Sequence, residues 1–201
     1  NITLQYPSVG ATETILMASC LALGKTTISN PAREPEIQDL AKMLNSMGAK
    51  ISGAGSQTLT IQGVKELHGT EVSIIPDRIE AGTMMACIAA TQGQGTVCNI
   101  KLDHMVAIVE KFRDAGVSIK EHEESLEIDA SSGILPVNVQ SVPYPGFPTD
   151  LQAQIMVLMT KAEGTSIIKE GIFENRFMHV SELRRMGAQI VINGNKAKIF
   201  G

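Results

Sequence analysis

The strongest constraint on this chain is an internal repeat. Gly48-Ala49-Lys50-Ile51 returns as Gly116-Val117-Ser118-Ile119 and again as Gly187-Ala188-Gln189-Ile190, with the glycines 68 and 71 residues apart. Upstream, the segments that open at Gly24, Gly93 and Gly164 recur at offsets of 69 and 71, and the loop prolines Pro7, Pro76 and Pro145 at 69 and 69. Three landmarks in one register define three copies of a unit of about seventy residues.

Within each copy the pattern predicts the order βαβαββ. A short strand (Ile2–Gln5, Val72–Ile75, Val137–Gln140) leads through a Pro-containing loop into a first helix. A second strand (Thr26–Ser29, Thr96–Ile100, Thr165–Lys169) leads into a second helix, and a hairpin closes the copy. The hairpins pair Lys50–Ser52 with Leu59–Gln62, Val117–Lys120 with Leu126–Asp129, and Gln189–Ile192 with Lys198–Phe200. Asn193-Gly194 supplies a turn signal in the last hairpin, and Gly53-Ala54-Gly55 reads as the turn of the first. The second helices are amphipathic, with Ile37, Leu40, Ala41 and Leu44, and Met105, Ile108, Val109 and Phe112, at helical spacing. The first helices, Ile15 to Leu23, Met84 to Ala90 and Ile155 to Met159, are apolar nearly all round and are expected to be buried. The fold class is α/β, with sheets outside and packed helices inside.

Composition narrows the function. Hydrophobic residues make up 43% of the 201, which excludes disorder, and the longest uncharged stretch, Ala81 to Ile100, is interrupted by three glycines and two glutamines, so no membrane span is expected. Aromatics at 3% and a net charge of −4 argue against a nucleic-acid partner. Cys20, Cys87 and Cys98 form no CxxC pair. They read as core residues of a cytosolic protein, within apolar helices or a strand. Four scattered histidines show no metal-ligand spacing. The chain opens on Asn1 without a Met, as expected for a piece of something longer.

In α/β units, ligands gather at loops that leave the C-terminal ends of parallel strands. Here the loops before the second helices carry Arg33-Glu34, Lys101-Leu102-Asp103 and Glu174-Asn175-Arg176. Those before the first helices carry Ser8-Val9-Gly10, Asp77-Arg78 and Thr149-Asp150. A chain of negative net charge that puts Arg33, Arg78, Lys101 and Arg176 on such loops is expected to seat a small anion. Ser8-Val9-Gly10 stands at a helix start, where backbone N–H groups and a hydroxyl meet the positive end of the dipole; the same Ser8 also reads as a plain N-cap. Asp150, in the first turn of an apolar helix, reads as an N-terminal carboxylate or as a general base in a dry cleft.

Tyr6-Pro7-Ser8-Val9-Gly10-Ala11-Thr12-Glu13, Ala32-Arg33-Glu34-Pro35-Glu36, Pro76-Asp77-Arg78-Ile79-Glu80, Phe147-Pro148-Thr149-Asp150 and Phe173-Glu174-Asn175-Arg176-Phe177 together resemble the UDP-N-acetylglucosamine 1-carboxyvinyltransferase family. The resemblance implies an inside-out α/β barrel of six βαβαββ repeats in two domains flanking a cleft, of which three are present. Residues 1–75 would be the last repeat of the first domain, and residues 76–201 two repeats of the second. It also implies transfer of enolpyruvyl from phosphoenolpyruvate to the 3-hydroxyl of UDP-N-acetylglucosamine by addition and elimination, in peptidoglycan synthesis in the cytoplasm. Asp150 would be the base or the carboxylate that holds the hydroxyl, and Arg176 would order anionic groups. Ser8, Val9 and Gly10 would meet the diphosphate, and the Ile172 backbone would contact the sugar nucleotide. Arg33 and Glu34 would have a supporting role, while Asp77 and Arg78 would stand at the crossing between domains, and the resemblance implies neither a metal nor an organic cofactor. The family's N-terminal Lys-Asn pair, loop Cys and C-terminal Arg have no counterpart here, so the 201 residues alone are expected to be inactive and to need the rest of a longer chain. Two alternatives share the repeat: a 5-enolpyruvylshikimate-3-phosphate synthase-like transferase, and a non-catalytic sugar-nucleotide-binding protein.

Overall fold

The structure is a computed structural model that describes residues 1–201. It divides into two compact units, Asn1–Ile75 and Pro76–Gly201. In the first unit β1 (Ile2–Thr3), α1 (Val9–Ser19), β2 (Lys25–Ser29), α2 (Pro35–Ser46), β3 (Lys50–Ser52) and β4 (Thr58–Gln62) follow in order. The second unit begins with α3 (Arg78–Ala90), β5 (Gln94–Cys98), α4 (Leu102–Asp114), β6 (Ser118–His122) and β7 (Ser125–Asp129). It continues with β8 (Val139–Gln140), a 3₁₀ turn at Thr149–Leu151, α5 (Gln152–Met159), β9 (Thr165–Lys169), α6 (Val180–Arg185), β10 (Gln189–Asn193) and β11 (Lys196–Phe200).

The first and third copies fold alike. Their sheets run β1-β2-β4-β3 and β8-β9-β11-β10, each with one parallel pair and an antiparallel hairpin. The repeat glycines have a specific task. Gly48, Gly116 and Gly187 follow the C-caps of α2, α4 and α6 with φ of +99°, +85° and +100°, a conformation that costs a residue with a Cβ. Each gives the crossed bond pair of a Schellman motif. Gly48 N–H donates to Asn45 C=O and Ala49 N–H to Leu44 C=O, both at 3.0 Å, and the pattern returns at Gly116/Val117 and Gly187/Ala188. The chain is thereby turned straight into the hairpin. One position per copy then ties the second helix to that hairpin: the Asn45 amide bonds the N–H and C=O of Ile51, and Arg113 and Arg184 donate to Ile119 and Ile190 C=O.

Burial follows the helical pattern of the second helices. Ile37, Ala41 and Leu44 of α2 join Leu16, Ile28, Leu59 and Ile61 in the core of the first unit. Met105, Ile108, Val109 and Phe112 of α4 join Met85, Leu126, Ile128, Met156 and Ile168 in the second. There α3 and α5 pack on each other: a Cβ on Gly82 would lie 2.4 Å from Leu151 Cδ1, and Gln154 donates to the Thr83 hydroxyl.

Three expectations need correction. Val72–Ile75 is not a strand, and the middle copy has a three-stranded sheet, β5-β7-β6. The stretch from His68 to Ile75 follows α2 instead: His68 N–H donates to Met47 C=O, the Thr70 hydroxyl to Ser46 Oγ, and Ile75 N–H to the Asp39 carboxylate. The first helices are not buried all round either. Met17, Leu21, Leu23 and Met84 are exposed, because the units bury only one flank of α1 and leave Met84 on the outer side of α3. For the same reason Cys87 is exposed, and alternation along β5 turns Cys98 outward while Val97 faces the core; only Cys20 is a buried thiol. The α/β fold from repeated units stands. Phe112→Ala is expected to cost about 3–5 kcal/mol in urea unfolding of the second unit, through lost burial and a cavity. Val106→Ala, on the exposed face of the same helix, is expected to cost under about 0.5 kcal/mol.

Candidate functional site

In the first unit two loops meet at the strand-exit edge. Ser8 caps α1, its Oγ accepting from Ala11 N–H at 3.3 Å, and the first intrahelical bond runs from Thr12 N–H to Ser8 C=O. The Val9 and Gly10 N–H groups precede that bond and point along the positive end of the helix dipole. Thr12, fully buried, donates its hydroxyl to Ser8 C=O at 2.7 Å and accepts from Ala32 N–H at 2.9 Å. That hydroxyl joins the Ser8-Val9-Gly10 turn to the loop that carries Arg33 and Glu34. Glu34 is 9% exposed, stands at the head of α2, and its Oε2 has no protein donor. A buried carboxylate oxygen of this kind is suited to a ligand N–H or O–H.

In the second unit Asp150 lies in the 3₁₀ turn ahead of α5, exposed, and Arg176 Nη2 donates to its Oδ1 at 2.6 Å. The Arg176 guanidinium also sits over the Phe173 ring at 4.8 Å. The segments that carry the two members of this pair are joined by one side chain that the sequence reading passed over, Glu170. Its Oε1 accepts from Ile172 N–H at 2.8 Å and Phe173 N–H at 3.1 Å, while Oε2 accepts from the Thr149 hydroxyl at 2.9 Å and Gln152 Nε2 at 3.2 Å. Gln152 Nε2 reaches on to Arg176 C=O at 3.4 Å. Burial alone would raise the Glu170 pKa. The Ile172 N–H, the Ser141 hydroxyl, the Phe173 N–H and the Thr149 hydroxyl outweigh it and hold the carboxyl below its ordinary range. Since Ile172 N–H is taken by Glu170, the carbonyl is the backbone group this residue has left for a ligand. His179 nearby is pushed down by burial and by the Arg176 charge, so it is neutral at pH 7.

Asp77 and Arg78 head α3. The Asp77 carboxylate caps the helix, accepting from Ile79 and Glu80 N–H, and Arg78 is buried with its guanidinium 5.5 Å from the Tyr144 ring centroid. Arg78, His104, Tyr144 and Pro148 line a cavity of about 270 Å³. Lys101, at the head of α4, is exposed. No group of three His, Cys, Asp or Glu side chains is arranged to hold a metal ion. No helix is long and apolar enough to cross a membrane.

The fold of repeated sheets has a counterpart among solved structures. The crystal structure of the enolpyruvyl transferase NikO from Streptomyces tendae matches with a TM-score of 0.85 at 24% identity, over 96% of this chain and 46% of that one. The chain belongs to the EPSP synthase (3-phosphoshikimate 1-carboxyvinyltransferase) family, whose sequence profile matches residues 1–200. It is 54% identical over 201 residues to UDP-N-acetylglucosamine 1-carboxyvinyltransferase 1 of Caldanaerobacter subterraneus subsp. tengcongensis, covering 100% of this chain and 48% of that protein. To UDP-N-acetylglucosamine 1-carboxyvinyltransferase of Prochlorococcus marinus (strain NATL1A) it is 56% identical over 201 residues, again 100% of this chain and 44% of that protein. The chain thus spans about half the length of the curated relatives it matches.

Thr12→Val keeps the shape but strands the buried Ala32 N–H, and is expected to destabilise the first unit by about 1–3 kcal/mol in urea unfolding. A second expectation concerns acid. Glu170 has a lowered pKa in the folded state, so its contribution is complete above the ordinary glutamate value of 4.5 and is lost as pH falls from there through the folded value. Unfolding measured at stepwise pH is therefore expected to show the second unit weakening below pH 4.5, with that part of the slope removed when position 170 carries an amide.

Proposed function

We infer that this chain is the working middle of a longer enolpyruvyl transferase: residues 1–75 are the last repeat of one domain, and residues 76–201 two repeats of the next. The proposed reaction joins the 3-hydroxyl oxygen of UDP-N-acetylglucosamine to the central carbon of phosphoenolpyruvate, whose methylene carbon takes a proton. Loss of that proton and of phosphate then restores the double bond. This is the chemistry of a step in peptidoglycan synthesis, and the reading places the protein in the cytoplasm.

The observation that carries the reading is Asp150. It is an exposed carboxylate in the 3₁₀ turn ahead of α5, with the Arg176 guanidinium 2.6 Å away. A hydroxyl that attacks carbon must lose its proton, and a carboxylate at the lip of a buried helix is placed to take it. The cation beside it supplies positive charge for the carboxylate and phosphate of the second substrate. Ser8, Val9 and Gly10 are proposed to receive the diphosphate on the α1 N-terminus. Arg33 and Glu34 support them, and Glu34 Oε2 is available to a ligand donor. The Ile172 carbonyl contacts the sugar nucleotide. Asp77 and Arg78 are assigned a supporting part at the head of α3. The names of the relatives at 54% and 56% identity support the sugar nucleotide over shikimate 3-phosphate as acceptor.

Asp150→Asn in the native protein that carries this sequence is expected to lower kcat by about 10²–10⁴-fold, the usual worth of a general base. Calorimetry on the wild-type protein is expected to show binding of UDP-N-acetylglucosamine and none of shikimate 3-phosphate; the reverse preference would replace this reading with the shikimate one.

A further inference from the structure

We propose that Glu170 is the positioning residue of this site: a buried carboxylate that sets the placement of Asp150 relative to Arg176 and so governs the sugar-nucleotide step. The inference rests on the functional reading above, and it starts from a break in the repeat. Asn30, Asn99 and Glu170 occupy the same register, 69 and 71 residues apart, one residue beyond β2, β5 and β9. In the first two copies that residue is an asparagine with φ of +57° and +56°, turning the chain out of the strand. Asparagine tolerates this left-handed conformation better than most residues. In the third copy the residue is a glutamate outside that conformation, 2% exposed. A buried carboxylate where the fold managed twice with an exposed turn residue is a departure that the fold does not require.

Its contacts show what the departure achieves. All the side-chain partners of Glu170 are donors, and they come from both sides of the Asp150–Arg176 pair. Thr149 and Gln152 bracket Asp150; Ile172 and Phe173 lead to Arg176, whose carbonyl Gln152 also holds. Glu170 is itself fixed at the backbone. Its N–H donates to Asn195 C=O at 2.8 Å, and its C=O accepts from Asn195 Nδ2 at 3.0 Å, so the β10–β11 turn anchors it. Gly171, next in the chain, lies so close that a Cβ would stand 2.4 Å from Ser141 C=O, which leaves the loop no slack. Only an ionised carboxylate accepts on both oxygens while donating on neither. Glu170→Gln keeps the volume and the bonds from Ile172 and Phe173 to Oε1, but turns an NH₂ toward Thr149 and Gln152. Thr149 can rotate to accept. Gln152, whose Oε1 has no partner, can accept only by flipping its amide, which surrenders its hold on Arg176 C=O.

The test is Glu170→Gln in the native protein that carries this sequence, with Gln152→Leu, which removes only the bridge, as the second variant should the first fail to fold. Wild-type turnover of UDP-N-acetylglucosamine with phosphoenolpyruvate is the control that judges the functional reading by itself. In crystals of either variant, the Arg176 Nη2 to Asp150 Oδ1 separation is expected to open beyond hydrogen-bonding reach, about 3.5 Å. kcat is expected to fall about tenfold or more, because the displaced pair is the base and the cation of the reaction, while KM for the sugar nucleotide, whose diphosphate is met by Ser8, Val9 and Gly10, stays within about twofold. An unchanged 2.6 Å pair overturns the proposal whatever the kinetics and whether or not the wild type turns over. So does a lowered melting temperature with both kinetic constants unchanged per folded molecule, the result of a purely structural role.

Discussion

A polar group withdrawn from water must find partners within the protein, and in this chain that requirement is what joins the loops of a repeat. Strands and helices alone would leave the two strand-to-helix connections of a copy as independent surface loops. In the first copy the buried Thr12 hydroxyl ties them, accepting from Ala32 and donating to Ser8. In the third the buried Glu170 carboxylate does so with four donors. Each candidate cluster is the consequence: Ser8 through Gly10 with Glu34 in one unit, Asp150 with Arg176 in the other. Loops carry function when a rigid scaffold holds them, and here the scaffold reaches the loop through single side chains.

The repeat was legible because its landmarks are backbone requirements. Gly48, Gly116 and Gly187 recur because a Schellman turn needs a left-handed residue, and the hairpins and amphipathic second helices follow from residue periods that packing obeys. The first helices show where such reading stops. An apolar circumference says which residues can be buried, not which partner buries them, and Met17, Leu21 and Leu23 remain at the surface. Val72–Ile75 fails for a related reason. Its apolar, β-branched run suits a strand, but a strand exists only with an edge to pair, and here His68 and Thr70 just before it are held by Met47 and Ser46, and Ile75 by Asp39 of α2.

The site was legible in its exposed members and not in its buried ones. Asp150, Arg176 and Ser8 stand out as chemistry on loops. Glu170 does not, because a glutamate at the end of a strand reads as a solvated charge. Its signal lay in the repeat itself, since laying the copies over one another puts it against Asn30 and Asn99. Thr12 and Gln152 had no such signal: a hydroxyl or an amide within an apolar helix becomes informative only when its partners are known.

The central claim is the reaction, and the most direct measurement follows the carbon. Phosphoenolpyruvate labelled at its central carbon is incubated with UDP-N-acetylglucosamine and the native protein that carries this sequence, while released phosphate and the labelled product are followed by NMR. The account predicts that phosphate appears in step with an enolpyruvyl ether at the sugar 3-position, and only when both substrates are present. No phosphate release with the sugar nucleotide, or release only when shikimate 3-phosphate replaces it, would contradict the account.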